Sequence, residues 1–178
     1  MQRNLLLLST AFVAASASAH VGLETPSAPA GAMYKATFQV GHGCSASATR
    51  QIAVTLPSGV LDARPMPKAG WSLEIQREKL AEPVERQGRT VGERVARITW
   101  TARSAADALP SDQYDEFVLM AALPAQAGAL AWPVSQVCDS GRADWTEVPP
   151  PGQSPHGLKN PAPLLEVLPA ASSDHHHH

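Results

Sequence analysis

Cysteines and aromatic residues are scarce in this chain of 178 residues, and the chain has no excess of positive charge. Two cysteines cannot supply the four ligands of a structural zinc site. With 14 Lys and Arg against 16 Asp and Glu, the chain has no concentrated basic face, and we expect no nucleic-acid partner. The motifs GxxxxGK[ST], HExxH, GxSxG and CxxC, and a GxGxxG after a strand, are also missing. The common nucleotide-binding, protease and hydrolase classes are therefore disfavoured.

No apolar run is long enough to cross a membrane, but the first 19 residues have the pattern of a secretory signal peptide. Arg3 supplies the positive start, residues 5–15 form an apolar stretch, and residues 17–19 form a small A-x-A cleavage site. The stretch is much shorter than the roughly 20 residues of a membrane-spanning helix. We therefore expect an exported, periplasmic or extracellular protein that is not membrane-embedded and whose mature chain begins at His20.

Export decides how the two cysteines are interpreted. Cys44 and Cys138 form an even pair in an oxidising compartment, which predicts a disulfide. The bond would close a loop of about 95 residues and contribute about 4–5 kcal/mol in the chain-entropy description. The alternative is a pair of thiolate ligands for Cu(I), which is disfavoured because exported thiols oxidise.

Most of the mature chain alternates apolar and polar residues with a period of two, as half-buried strands do. The predicted strands are 34–40, 52–56, 71–76, 94–101, 116–123, 129–137 and 143–148. Turn clusters rich in Pro, Gly, Ser and Asp separate them, and no segment keeps a helical period. This pattern predicts an all-β domain at 20–148, an antiparallel immunoglobulin-like β-sandwich of about seven or more strands. Residues 149–178 are interpreted as a Pro-rich tail that packs along the domain or trails from it.

The predicted new N-terminus has metal-binding chemistry. Cleavage after residue 19 leaves His20 with a free α-amine, a group whose pKa is ordinarily about 7.7–8.0. The amine nitrogen and the imidazole Nδ1 of one residue can chelate a metal ion. Two such nitrogens, completed by a carboxylate oxygen or water, suit the tetragonal geometry of Cu(II) better than the tetrahedral preference of zinc. The alternative is that His20 is merely the first mature residue.

Several short motifs, in order, resemble the YcnI-like exported copper-binding domain family over residues 20–165. They are His20-Val21, Pro26, Pro29-Ala30-Gly31, Gly41-His42-Gly43-Cys44, Pro65-Met66-Pro67-Lys68-x-Gly70-Trp71, Tyr114-Asp115-Glu116-Phe117, Pro133-Val134-x-Gln136-x-Cys138, Trp145 and Gly152-Gln153-x-Pro155-His156. The resemblance implies an immunoglobulin-type sandwich that binds Cu(II) through a brace formed by one N-terminal histidine. It also implies a carboxylate ligand on a strand and a tryptophan beside the metal.

By this resemblance His20 forms the brace and Glu116 is the carboxylate ligand, with Asp115 as the fallback. Alternation supports Glu116, because Phe117 belongs to an apolar face and Glu116 must point the other way. A solvated carboxylate at a strand start is the alternative. Glu24 is a further candidate, because residues i and i+4 of an extended segment share a face.

Trp145 is the predicted site tryptophan, with Trp132 as second choice, although an indole taken alone more often packs in a core. His42, between two glycines, is expected to position its loop through a bond from the imidazole to the backbone rather than to bind metal. His156 is expected to pack or to be solvated.

The chain ends in four histidines at 175–178, a run that binds Cu, Ni or Zn with low specificity. Because the chain keeps its own leader and has no linker before the run, we interpret the run as a genuine tail rather than a purification tag.

Three functions of different classes follow from the sequence. The first is a non-enzymatic protein that buffers or delivers Cu(II), with a copper-transport membrane protein or a copper chaperone as partner. The second is a copper redox enzyme, which usually needs a second brace histidine, for which His42 and His156 are the candidates. The third is an adhesion-type sandwich without metal.

Overall fold

The computed structural model describes residues 20–86 and 88–170, so the predicted signal peptide at 1–19 and the histidines at 175–178 lie outside the described residues. In the described part the chain forms twelve strands and a single 3₁₀ turn at Ala105–Asp107. The strands are β1 (Gly22–Leu23), β2 (Ser27–Pro29), β3 (Met33–Val40), β4 (Thr49–Thr55), β5 (Ala63–Pro65), β6 (Trp71–Arg86), β7 (Arg89–Ala102), β8 (Asp115–Ala122), β9 (Gly128–Ala131), β10 (Val134–Cys138), β11 (Arg142–Trp145) and β12 (Leu164–Leu168). The predicted all-β class is confirmed. No helix in residues 20–86 and 88–170 is long and apolar enough to cross a membrane.

The strands form three sheets. The front sheet has the order β1-β3-β8-β5, the back sheet β11-β10-β4-β7-β6, and the small sheet β2-β12-β9. The pairings between these strands are antiparallel, except that of β12 with β2, which is parallel. Alternate residues of the front and back sheets share one core, as the period-two pattern predicts.

Aromatic side chains fill the middle of that core. The Phe117 ring packs edge-on against Trp71, with centroids 5.0 Å apart, and against Trp100 at 5.7 Å. Trp132 is fully buried and packs 5.9 Å from Phe38 and 6.4 Å from Tyr34. Trp132 is therefore a core residue, and this packing is a sufficient reason for a tryptophan at that position.

The structure corrects two of the predicted boundaries. The expected strand 129–137 is two strands of different sheets, β9 and β10. The chain changes sheet at Pro133, which has no backbone N–H to continue a ladder. The expected tail contains β12, which pairs with β2 and β9 and buries Leu165 and Val167. The sandwich thus extends to Leu168 instead of ending at 148.

The predicted disulfide between Cys44 and Cys138 is confirmed. It joins the loop after β3 to the end of β10, and the Cys44 N–H lies 2.9 Å from the Cys138 Sγ. Both segments lie at the end of the sandwich where the described chain begins.

Candidate metal centre

His20 lies at an open edge of the sandwich. It lies two residues before the start of β1, the edge strand of the front sheet, where Gly22 pairs with Gln39. The imidazole is exposed and packs edge-on against Trp145, with ring centroids 5.4 Å apart and an interplanar angle of 69°. Trp145 ends β11, the edge strand of the back sheet. The fold therefore brings together the histidine and the first-choice tryptophan, although they lie far apart in sequence.

Trp145 is held by a buried amide. Its indole is 5% exposed, and Nε1 donates to Gln136 Oε1 at 3.2 Å. Gln136 is 1% exposed, and its Nε2 donates to the His42 carbonyl and to Thr49 Oγ1, both at 2.8 Å. One side chain thus links β10, β11, β4 and the loop after β3. A buried amide with every partner in place fixes geometry, because breaking one bond leaves a polar group unpaired.

The role of Gln136 was not predicted from the sequence, although the residue lies within one of the family-like motifs. A signal was present, because Gln136 occupies a core-facing position of a period-two strand. A polar side chain at such a position must find partners inside the protein.

The loop that carries His42 has a tightly constrained backbone. The His42 ring lies 6.5 Å from Trp145, and its Nδ1 is 2.5 Å from the Gly43 carbonyl, so Nδ1 donates in that contact. A Cβ built at Gly43 would stand 1.8 Å from the Ser47 carbonyl oxygen, a distance no side chain tolerates. The loop therefore requires glycine at 43 to make its close turn beside the disulfide.

Glu116 lies at the start of β8, in one row with Gln39 and, two strands away, Gly22. It is half-buried, and the Tyr114 hydroxyl donates to its Oε1 at 2.5 Å. Desolvation and then the hydrogen bond to Glu116 raise the pKa of Tyr114 to about 12. Asp115, the fallback ligand, accepts from Lys68 Nζ at 2.6 Å and from the Glu116 N–H at 2.8 Å. The Asp115 carboxylate is thus already paired with a cation.

Glu24 follows β1, and its N–H donates to the Thr37 carbonyl at 3.0 Å. Burial, and then the charge of Glu24, raises the pKa of Tyr34 to about 12, and Glu24 also acts on Tyr114. Between His20 and Glu24, Gly22 leaves open space: a Cβ there would meet nothing within 4 Å.

His156 is exposed in the segment before β12. Within residues 20–86 and 88–170, no group of three or more His, Cys, Asp and Glu side chains is arranged to hold a metal ion. A histidine brace adds the α-amine as a ligand, and that amine exists only once the chain begins at His20.

Comparisons with known proteins agree with this architecture. A family model described as a domain of unknown function, DUF1775, matches residues 20–167. A crystal structure of an uncharacterized protein from Nocardia farcinica with an immunoglobulin-like fold gives a TM-score of 0.65 at 26% identity, covering 84% of this chain and 99% of that chain. The seventh ScaB type I cohesin from Pseudobacteroides cellulosolvens gives a TM-score of 0.44 at 10% identity, covering 89% and 97%. No curated protein matches significantly. The immunoglobulin-like sandwich is confirmed.

Proposed function

Because this chain belongs to the DUF1775 family, whose domain is YcnI-like, we propose that it is an exported Cu(II)-binding protein that holds the ion through its mature N-terminal histidine. The α-amine and the imidazole Nδ1 of His20 are the two nitrogen ligands. The observation that carries the proposal is the contact of the His20 ring with Trp145 at 5.4 Å. The contact supports a site in which the indole packs beside the copper ion and shields one side of it from water.

The oxygen ligands of this site come from the outer face of the front sheet. Glu116 is the first carboxylate ligand, and Glu24 is the second candidate because it shares a face with His20 along the extended segment. The open space around Gly22, which lies between His20 and Glu24 in the chain, supports placing the ion on this side of β1. Two nitrogens and carboxylate oxygens are a donor set that suits Cu(II).

The proposed role is buffering or delivery of copper and not catalysis. The disulfide is of the kind that persists in oxidising compartments, which supports the exported location inferred from residues 1–19. The expected exchange partner is a copper-transport membrane protein or a copper chaperone. Affinity for Cu(II) should fall as the solution is acidified, because both nitrogens must lose protons to bind.

Electron paramagnetic resonance of Cu(II) added to residues 20–173 tests the proposal, because this chain lacks the histidine run. We expect one type-2 signal with nitrogen couplings. The matched control is the same chain with one alanine before His20, which turns the α-amine into an amide and should abolish the tight signal. Tight binding that survives the added alanine would refute the brace.

A second variant tests the carboxylate. Glu116→Gln keeps the size of the side chain and its bond to Tyr114 but removes the charge, so Cu(II) should bind more weakly while the melting temperature changes little. Asp115→Asn is the matched control. If only the control weakens binding, the ligand role passes to Asp115, and if neither does, it passes to Glu24.

One observation favours the alternative of a copper redox enzyme. The rings of His20 and His42 both contact Trp145, so a second imidazole lies near the proposed site. The enzyme would be favoured if the copper-loaded protein turned over a substrate in a reductant-dependent reaction and His42→Gln abolished that turnover. A copper signal unchanged in His42→Gln, without turnover, would favour buffering or delivery.

A further inference from the structure

The β6–β7 hairpin extends far beyond the sheet to which it belongs. β4 pairs with β7 only over Gln51–Thr55, opposite residues 97–101. Beyond that point β6 and β7 pair only with each other, as a two-stranded arm that ends at the Arg86–Arg89 pair. The register jumps between Lys79 and Val84, where four residues of β6 stand opposite Gly92 alone. Such an irregularity bends a ribbon.

A cavity of about 490 Å³ lies between the tip of the arm and the end of the front sheet. Its walls are Met33, Met120 and Ala122 from the front sheet, Leu61, Asp62 and Arg64 from the approach to β5 and β5 itself, and Arg86, Arg89 and Val91 from the arm. The volume is within the range of small-molecule sites, about 300–1,000 Å³. Met33 and the loop of His42 lie at opposite ends of β3, an 8-residue strand that spans roughly 25 Å. The cavity is therefore separate from the candidate metal centre.

Three guanidinium groups surround this cavity, and they are not neutralised by the protein. Among the described residues, Arg64, Arg86 and Arg89 form no ion pair within 4.0 Å, whereas five other basic side chains do. Arg86 and Arg89 stand directly opposite each other in the ladder, an arrangement of like charges that destabilises a hairpin. The carboxylate of Asp62 is shared with Arg77, 4.0 Å away. The cavity thus has an excess of positive charge, although the chain as a whole carries a net charge of -2.

The strand alternation separates this charge from the acidic residues of the arm. Arg86, Arg89 and Val91 share one face of the arm, and Glu85 and Thr90 share the other, where the Thr90 hydroxyl donates to Glu85. Apart from Asp62, the remaining walls are apolar. Met33 is 63% exposed and Met120 is 37% exposed, and thioether side chains adapt readily to apolar partners.

From this combination we propose that the cavity binds an amphiphilic oxyanion, a phosphate or carboxylate group attached to an aliphatic chain. The planar guanidinium groups of Arg64, Arg86 and Arg89 receive the oxygen atoms, for which their geometry is suited. Met33 and Met120 cover the aliphatic part. The same head group occurs on free amphiphiles and on phospholipids in a bilayer, and the site recognises this shared chemistry.

The methionines provide the test. Residues 20–178 contain three of them, two in the cavity walls and Met66 outside. In the mature chain labelled with ¹³C at the methionine methyls, decyl phosphate below its micelle concentration should shift the Met33 and Met120 resonances saturably and leave Met66 unchanged. Inorganic phosphate and neutral decyl maltoside should each produce much smaller shifts. Phosphatidylglycerol vesicles, compared with phosphatidylcholine vesicles, show whether a membrane-bound head group is also accepted.

Substitutions then assign the charges. Arg64→Ala, Arg86→Ala and Arg89→Ala should each weaken decyl phosphate binding about two- to fivefold, as expected for solvent-exposed charge pairs. Arg103→Ala is the matched control, because Arg103 is exposed at the other end of the hairpin and its loss changes the net charge equally. Equal weakening in the control, equal shifts at Met66, or equally tight binding of decyl maltoside would overturn the proposal. Tighter binding of an acidic hexapeptide than of decyl phosphate would do so too.

Discussion

Replacing the buried amide of Gln136 should lower the free energy of unfolding by more than the loss of one ordinary hydrogen bond, because this amide bonds to several parts of the fold. In Gln136→Leu the volume is nearly kept, but the indole N–H of Trp145 loses its acceptor. The Thr49 hydroxyl loses its amide donor and keeps only the weak contact with Cys138 Sγ at 3.8 Å. Trp145 is 5% exposed and Thr49 is fully buried, so water cannot replace the lost bonds. An unpaired buried polar group costs about 1–3 kcal/mol, and two of them give about 2–6 kcal/mol. That is a large part of the 5–15 kcal/mol by which a typical domain is stable.

Urea unfolding followed by far-ultraviolet circular dichroism measures this loss as a change in midpoint at constant slope. Gln51→Leu is the matched control. Gln51 lies on β4 of the same sheet and is half-buried, and its amide makes one bond, to Thr101 Oγ1 at 3.1 Å. The control should lose no more than about 1 kcal/mol. If Gln136→Leu costs no more than Gln51→Leu, the network does not stabilise this end of the sandwich.

A second readout concerns the candidate metal centre. Because Gln136 fixes the Trp145 indole, Gln136→Leu should also change the Trp145 contribution to the near-ultraviolet circular dichroism and weaken Cu(II) binding by residues 20–173. Gln51→Leu should change neither. Stability lost with an unchanged copper signal would mean that the indole does not need this amide to pack beside His20.

Three further predictions concern other parts of the fold. Breaking the Cys44–Cys138 bond, which spans 94 residues, should lower the free energy of unfolding by about 4–5 kcal/mol. Urea unfolding with and without reductant measures this loss. In the control protein Cys44→Ala/Cys138→Ala, the reductant should not change the free energy of unfolding. Tyr34→Phe removes the bond from the hydroxyl to the Thr25 carbonyl and should cost about 1 kcal/mol. Because burial raises the Tyr34 pKa from 10.0 to about 12, its contribution is complete below pH 10 and declines as the pH rises towards 12, so the variant should lose less stability over that window. Gly22→Val should leave the melting temperature nearly unchanged, because a Cβ meets open space, and should weaken Cu(II) binding by filling the gap, whereas Gly22→Ala should have a smaller effect.

The alternation of apolar and polar residues was sufficient to predict the strands that have one buried and one exposed face. Alternation predicted a strand at 34–40, and β3 runs from Met33 to Val40. It did not reveal the switch of sheet between β9 and β10, because a continuous alternation reads the same whether its two halves pair with one sheet or with two. The arm was underestimated for a related reason. Most residues of β6 from Glu74 onward are exposed on both faces, so no apolar alternation marks them as a strand.

The sequence by itself determined the all-β class and the disulfide, because period-two patterning and an even cysteine pair behind a predicted export signal are readable along the chain. It also identified His20 and Trp145 as candidate residues of the metal site. Their contact was decided only by tertiary structure, because it brings the residue that lies before β1 of the front sheet against the last residue of β11 of the back sheet. The same holds for the Gln136 network, which joins β10, β11, β4 and the His42 loop, and for the three arginines that the bend of the arm gathers over the front sheet. Pairing and bending act between segments distant in sequence, and no local pattern encodes which of them meet.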